Sequence, residues 1–170
     1  MIIKKIKNLN LEEIAESGQI FRMNKNKDNS FNIISKDKFL KVKEAKSGEF
    51  HFYCERKEFE NYWKNFFDLE TDYSKILSLI DKNDKFLYEA SKAGSGIRIL
   101  RQDLFETIIS FIISQQNNIP KIKNTIEKLC KKFGELKEDK ETGCKFFAFP
   151  KAKDLRNIKD LQGLSFRISR

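Results

Sequence analysis

Histidine is almost absent from this sequence, which has only His51 among its 170 residues. Zinc sites of the HExxH type need two histidines, and a serine–histidine–aspartate triad needs one beside its nucleophile. His51 lies inside the run FHFYC, where we interpret it as a strand residue. The sequence therefore argues against both kinds of hydrolytic site.

Cysteine is also scarce, and no glycine-rich phosphate-binding motif occurs. Cys54, Cys130 and Cys144 are far apart, odd in number and include no CxxC pair, which argues against disulfides and a thiolate zinc site. We expect buried thiols. GxGxxG and GxxxxGK[ST] are both missing, so a nucleotide cofactor is not expected. We predict no metal and no cofactor, which leaves carboxylate, lysine or hydroxyl groups for any chemistry.

The sequence lacks a charged leader followed by an apolar run, and it lacks any stretch of about 18 apolar residues. These absences predict a cytoplasmic protein without a membrane partner. The net charge is +9, and it is unevenly distributed, with +2 in residues 1–95 and +7 in residues 96–170. The second part is therefore the better candidate for binding a polyanion.

Short apolar runs separated by turn-forming residues fill the first part of the chain and are typical of an antiparallel sheet. Leu40 and Val42 alternate with lysines. Phe50, Phe52 and Cys54 share one face of another run. Each strand should therefore bury one side. We predict strands at residues 18–23, 30–35, 38–44 and 49–54.

Two helical stretches follow these strands, at residues 58–67 and 72–94. Their aromatic and aliphatic stripes, at helical spacing, are expected to lie in the core. Gly94 and Gly96 then interrupt the pattern, and we predict the domain boundary there, between residues 95 and 96.

The pattern after this boundary is helical. Apolar residues cover most of the circumference of residues 104–113, so we expect that helix to be central and buried. A second helix should begin near Pro120 and end at Gly134. Its apolar stripe, at spacings of 3 and 4 residues, should be formed by Ile119, Ile122, Ile126, Leu129 and Phe133. Residues 135–143 are strongly charged, and we predict a loop there.

Three blocks of sequence together resemble the 8-oxoguanine DNA glycosylases of the helix-hairpin-helix superfamily, of bacterial type. They are SGQIFRM (Ser17–Met23), the long block Gly96–Gly134, and GLSFR (Gly163–Arg167). The resemblance implies an α+β fold. It would have an N-terminal antiparallel β-sheet domain with flanking helices (TBP-like) in residues 1–95. Residues 96–170 would form the first part of an all-α helix-hairpin-helix glycosylase domain, truncated before the hairpin.

The same resemblance implies that Gly18 recognises the damaged base. Its backbone carbonyl would accept a hydrogen bond from N7–H of 8-oxoguanine, where normal guanine has an acceptor instead. Mismatching two acceptors costs about 1 to 3 kcal/mol. The simpler interpretation is that Gly18 merely starts a strand.

The resemblance assigns Gln116, Asn117 and Lys121 to contacts with the orphaned partner base and the nearby DNA backbone. A simpler alternative is that the QQNN amides cap helix ends, a role that suits Asn118. The resemblance also assigns the stacking wedge to Phe166, and to Arg167 a second contact with the orphaned base. Alone, Phe166 would be interpreted as a core residue.

The family's catalytic lysine and assisting aspartate match no residue of this sequence, and we expect them beyond residue 170. The sequence ends within what looks like the start of a helix, so we expect part of a longer enzyme that is inactive alone. Its expected partner is double-stranded DNA containing 8-oxoguanine, bound by a monomer. The alternatives are a non-enzymatic DNA-binding module and an alkylpurine DNA glycosylase of the same superfamily.

Overall fold

The computed structural model describes residues 1–46 and 48–155. Its strands are β1 (Ile2–Lys5), β2 (Met23–Lys25), β3 (Phe31–Ser35), β4 (Lys38–Lys46), β5 (Glu49–Tyr53), β6 (Leu136–Glu138) and β7 (Lys145–Phe147). Its α-helices are α1 (Leu11–Glu16), α2 (Arg56–Glu58), α3 (Lys64–Phe66), α4 (Tyr73–Ser78), α5 (Lys85–Ala93), α6 (Leu104–Ser114) and α7 (Ile119–Phe133). A π-helical turn (Phe59–Trp63) joins α2 to α3, and a 3₁₀ turn covers Ala152–Leu155.

The chain divides into two compact units. Residues 1–32 and 40–101 form the first, and residues 33–39 with the described residues from 102 onward form the second. The tip of the hairpin between β3 and β4 thus belongs to the second unit. A domain boundary between residues 95 and 96 stays a prediction.

A five-stranded sheet has the order β1-β5-β4-β3-β2, and β1 and β4 each pair with β5 in antiparallel register. The period-2 pattern predicted its buried face correctly. Leu40, Val42, Phe50 and Phe52 are fully buried, and Cys54 is nearly so. The antiparallel sheet with its helices confirms the predicted α+β class.

An aromatic cluster covers this buried face. The ring of Phe52 lies 4.9 Å from that of Phe59 and 5.8 Å from that of Phe67, both edge-on. Trp63 and Phe66 continue the cluster, with ring centres 5.2 Å apart. Burying each ring contributes roughly 2 to 3 kcal/mol. The predicted core role of the helical stretch at residues 58–67 is therefore confirmed.

The strand predicted at residues 18–23 is wrong, since only Met23 of that run lies in a strand. The preceding helix α1 was not predicted. Asn10 caps it, accepting hydrogen bonds from the backbone N–H groups of Glu12 and Glu13 and donating one to the Glu13 carboxylate. Asn10 and Glu13 have the spacing of a capping box, but Glu13 bonds the asparagine side chain, because the backbone N–H of Asn10 donates to the carbonyl of Gly96.

Arg98 is a buried arginine that joins separate segments of the first unit. Its Nε donates to the carbonyl of Asn8 at 2.9 Å, and its Nη2 donates to that of Lys7, also at 2.9 Å. Its Nη1 donates to the carbonyl of Asp68 at 2.7 Å. The guanidinium also lies over the ring of Tyr73, 4.5 Å from its centre. Burial lowers the pKa of Arg98, but its charge is retained because the normal value is so high.

Asp68 completes this network with its carboxylate. It accepts hydrogen bonds from Arg101 Nε at 2.8 Å and from the Tyr73 hydroxyl at 3.1 Å. Burial would raise the pKa of the carboxyl, but the hydrogen bonds from Arg101, Thr71 and Tyr73 bring it below its usual value. Asp68 also has a left-handed backbone, with φ of +50°.

In the second unit, α6 buries only Glu106 and Ile113. The expectation that this helix is central and buried is wrong for the described residues, where Leu104 and Phe111 are 73% and 67% exposed. The described residues pack against only one side of the helix. The Glu106 carboxylate bonds within the same unit, because it accepts the backbone N–H of Lys36 at 2.8 Å.

No helix of the described part of the chain is long and apolar enough to span a bilayer.

Helix α7 buries the predicted stripe through Ile122, Ile126 and Leu129, whereas Ile119 is exposed. Gly134 ends the helix and donates its N–H to the carbonyl of Cys130. The loop predicted at residues 135–143 is wrong in its first part, because β6 pairs with β7 in an antiparallel hairpin. The sequence pattern gave no sign of β6, because this short strand lies at the surface and is rich in charged residues.

The core role predicted for residues 72–94 is also wrong, because α4 and α5 contain no buried residue. Phe86 is 87% exposed and Leu79 78%. The apolar spacing correctly indicated helices, which Asp72 and Asp84 cap, but it carried no information about what would cover their apolar faces.

The carboxylate of Asp68 offers a test of the network around Arg98. We expect Asp68→Asn to lower the free energy of unfolding by about 1 to 2 kcal/mol at neutral pH, since charged hydrogen bonds are lost and Arg101 is partly exposed to water. Asparagine tolerates the left-handed backbone, so the substitution removes the charge and one acceptor oxygen without adding backbone strain. The folded pKa is depressed. The difference should therefore be complete above roughly pH 5 and shrink as pH falls through the folded value.

Urea unfolding of both proteins at neutral pH and at about pH 2.5 measures this difference. Asp37→Asn is the matched control, because that exposed carboxylate makes a surface ion pair of 3.5 Å with Lys137. We expect it to change stability by less than about 0.5 kcal/mol. An Asp68→Asn penalty independent of pH would show that the charge is not the cause.

Candidate nucleic-acid interface

Gly18 lies in an exposed loop directly after α1. Its φ is +78°, a left-handed conformation that costs other L-residues about 1 to 2 kcal/mol. A Cβ atom added there would meet no heavy atom within 4 Å. The glycine is therefore needed for backbone conformation and not for space, and the peptide group next to it is open to a ligand.

Ser17 and Gln19, the residues on either side of Gly18, are held in place by side-chain hydrogen bonds. The Ser17 hydroxyl donates to the carbonyl of Ile14 at 2.8 Å. The Gln19 side chain donates from Nε2 to the carbonyl of Arg98 at 3.0 Å, and its Oε1 accepts the N–H of Leu100 at 2.9 Å. The sequence pattern predicts a strand at Gln19, and no pattern in the sequence indicates these long-range contacts.

The turn between α6 and α7 holds the four amides Gln115 to Asn118. Asn118 caps α7 by accepting the N–H of Lys121 at 3.0 Å, so the capping interpretation holds for this residue. Asn117 Nδ2 donates to the carbonyl of Ile113 at 2.7 Å, and Gln115 Nε2 donates to that of Phe111 at 3.3 Å. These three amides close the ends of the two helices.

Gln116 differs from its neighbours in the same turn. It is exposed and has a φ of +55°, and no side-chain hydrogen bond of Gln116 is found within the described residues. A left-handed glutamine is uncommon, and such strain tends to persist at functional positions. The turn therefore presents one uncommitted amide on a defined backbone.

Lys121 is the third residue of α7 and is exposed. A cation in the first turn of a helix is disfavoured by the helix dipole by about 0.3 to 1 kcal/mol. The first turn of α7 contains no acidic residue that would offset it. Helix stability therefore does not explain a lysine here, whereas binding of an anion would use both the lysine and the helix end.

Further along α7, exposed lysines continue on the surface opposite the buried stripe. They are Lys128, Lys131 and Lys132, with Glu127 as the acidic residue among them. Phe166 and Arg167 lie outside the described residues. Within the described part of the chain, no cluster of three metal-ligating side chains occurs. The exposed lysines of α7 suit the binding of a polyanion.

Comparisons with known proteins agree with this arrangement. The sequence model of one protein family, described as the 8-oxoguanine DNA glycosylase N-terminal domain, matches residues 1–108 of this chain. The N-glycosylase/DNA lyase of Saccharomyces cerevisiae is 41% identical over 66 residues, which are 39% of this chain and 17% of the yeast protein.

Solved structures match over nearly the whole chain. A structure of MBOgg1 in complex with a low-affinity DNA ligand has a TM-score of 0.89 and 37% identity, covering 98% of this chain and 57% of that one. The apo-form of Clostridium acetobutylicum 8-oxoguanine glycosylase/lyase also has a TM-score of 0.89, with 34% identity, covering 97% and 58%. The chain therefore spans less than three fifths of the length of these relatives. On the strength of the domain match, which covers well over half of it, the chain belongs to the 8-oxoguanine DNA glycosylase family.

Proposed function

We propose that the protein acts in base-excision repair as an 8-oxoguanine DNA glycosylase and abasic-site lyase, and that this chain supplies lesion recognition. The observation that carries this proposal is the family match over residues 1–108, which includes the Gly18 loop. The Clostridium acetobutylicum enzyme has also been solved with double-stranded DNA that contains cytosine opposite 8-oxoguanine. The substrate would be chromosomal DNA, so the protein would act in the bacterial cytoplasm, at the nucleoid.

In this proposal, Gly18 distinguishes the lesion from guanine. The base is rotated out of the duplex, and the Gly18 carbonyl accepts a hydrogen bond from N7–H of 8-oxoguanine. Guanine would present an acceptor at the same position, which leaves two acceptors facing each other. The left-handed backbone and open surroundings of Gly18 support this role.

Protein side chains are proposed to fill the space that the rotated base leaves in the duplex and to contact the orphaned base of the opposite strand. Gln116 and Asn117 would contact the orphaned base, and Lys121 would contact that base or the nearby phosphates. The uncommitted amide of Gln116 supports this assignment, as does the unfavourable position of Lys121 within its helix. Phe166 is proposed as the stacking wedge and Arg167 as a further contact with the orphaned base.

The chemical step requires an amine that this chain does not supply in the family pattern. A lysine attacks C1′ of the damaged nucleotide, the base leaves, and the resulting Schiff base permits strand cleavage. None of the 27 lysines of this chain matches the family's lysine motif. We therefore propose that residues 1–170 bind and orient DNA and carry no catalytic residue.

Borohydride trapping tests the proposed function. Protein expressed from the complete reading frame should excise 8-oxoguanine from duplex DNA and form a covalent adduct, because borohydride reduces the Schiff base. Residues 1–170 alone should form none. Excision of alkylated purines with no action on 8-oxoguanine would contradict the proposal. An adduct of residues 1–170 that is lost when one of their lysines is replaced would contradict the absence of a catalytic amine.

Gly18→Ala tests the recognition loop. The left-handed backbone should cost about 1 to 2 kcal/mol of stability, and excision of 8-oxoguanine should fall much further because the carbonyl is displaced. Gly143→Ala is the matched control, since Gly143 has a φ of +68° and equally open surroundings. We expect similar shifts in melting temperature from both, with excision lost only in Gly18→Ala. Equal losses of excision would indicate a purely structural role.

Lys121 leads to a prediction about the base opposite the lesion. The better-known eukaryotic members of the family carry arginine at this position, and they demand cytosine. Cytosine offers two adjacent acceptors, which a guanidinium engages with two directed donors and an ammonium does not. We expect relaxed selectivity in the unmodified protein, and a gain for cytosine of roughly tenfold to a hundredfold in Lys121→Arg.

Single-turnover excision rates on duplexes with each of the four bases opposite 8-oxoguanine measure this selectivity. Lys128→Arg, another exposed lysine of α7, is the control and should leave the four rates in the same proportion. A cytosine preference of about a thousandfold or more before any substitution would refute the expectation, because it would exceed what one bidentate contact supplies.

A further inference from the structure

The side chain of Gln19 binds an extended segment far along the chain in the way that a strand backbone would. Its amide donates to the carbonyl of Arg98 and accepts the N–H of Leu100, two residues further on. Backbone groups of one residue bond a neighbouring parallel strand with the same two-residue spacing. The carboxamide thus replaces a peptide group in a β-type contact, although residues 18–22 form no strand.

The segment that Gln19 binds is itself fixed by other contacts. Ile99 donates its N–H to the Tyr73 hydroxyl at 2.9 Å, and Arg101 donates its N–H to the carbonyl of Phe66, also at 2.9 Å. Arg98 is buried, and its guanidinium donates to three backbone carbonyls in two separate segments. Gln19 is therefore anchored to one of the most constrained parts of the first unit.

The second proton of the same amide points back toward the loop. Gln19 Nε2 donates to the Ser17 hydroxyl oxygen at 3.1 Å, and that hydroxyl donates to the carbonyl of Ile14 at the end of α1. Gly18 is thus held from both sides by side-chain bonds. Within the described residues, its own carbonyl accepts no hydrogen bond. Glycine has the most flexible backbone of any residue, so these bonds hold Gly18 in place while its carbonyl oxygen stays free to accept a hydrogen bond.

We propose that Gln19 is a positioning residue that sets the Gly18 carbonyl for recognition of the lesion, an inference that rests on the proposed function. Lesion and guanine differ at N7 by one proton, so discrimination depends on one hydrogen bond. Hydrogen bonds weaken steeply when they are misaligned. If the loop were free to move, the Gly18 carbonyl would often be misaligned with N7–H of 8-oxoguanine. Selectivity for 8-oxoguanine over guanine would then fall even though Gly18 was still present.

Gln19→Met is the decisive variant, because methionine has nearly the same length and cannot make the amide's bonds to Ser17, Arg98 and Leu100. In protein from the complete reading frame, we expect the ratio of 8-oxoguanine excision to abasic-site cleavage to fall roughly tenfold, the equivalent of one hydrogen bond of about 1.4 kcal/mol. Abasic-site cleavage should stay within about twofold, since an abasic site has no base for the carbonyl to read. The Leu100 amide should exchange its hydrogen faster.

Gln19→Glu gives a second variant with a different outcome. Its carboxylate still accepts the Leu100 N–H but faces the Arg98 carbonyl with an acceptor, so the ratio should fall at least as far as in Gln19→Met. Ile33→Val is the control for lost stability, because it removes a methyl group from a fully buried residue of β3 that makes none of the hydrogen bonds around Gly18. It should lower the melting temperature and leave the ratio unchanged.

The outcomes separate this inference from the function on which it rests. Excision by the unmodified protein with an unchanged ratio in Gln19→Met would overturn the positioning role alone. Equal losses of excision and abasic-site cleavage in Gln19→Met would also overturn it, since they would indicate a merely structural glutamine. No excision of 8-oxoguanine by the unmodified protein would overturn the proposed function, and this role with it.

Discussion

The first unit depends on the burial of one positive charge. Removing a guanidinium from water is costly unless its donors are satisfied, and Arg98 satisfies them on carbonyls of Lys7, Asn8 and Asp68. These carbonyls come from the segment after β1 and from the segment after α3. The buried arginine therefore fixes two irregular segments that no sheet or helix ladder would hold, and it fixes the extended stretch to which it belongs.

Parts of this fold follow from local physical chemistry and could be predicted from sequence. β4 and β5 were predicted because a half-buried antiparallel strand imposes a period of two, which Leu40, Val42, Phe50 and Phe52 obey. The stripe of α7 was predicted because its helix buries one side only. Helix α1 was missed, although Asn10 and Glu13 have capping-box spacing, because the helix is too short to show a period.

Other parts depend on contacts that a linear pattern does not contain. Residues 18–23 look like a strand, yet the loop is held by the Gln19 side chain against residues 98–100. The apolar stripes of α4, α5 and α6 indicated helices correctly and burial incorrectly, because burial requires a covering neighbour as well as an apolar face. The proposed recognition residues came from resemblance to a family, since a glycine, two amides and a lysine carry no chemical signature of their own.

The left-handed backbone of Gln116 has a thermodynamic consequence. Fixing one residue in a single backbone conformation costs about 1 to 2 kcal/mol of conformational entropy. For Gln116 this ordering is completed when the chain folds, because the neighbouring amides close both helix ends around it. A ligand that meets this residue therefore meets a surface already ordered, and association there should show a smaller entropic penalty than docking of a flexible loop.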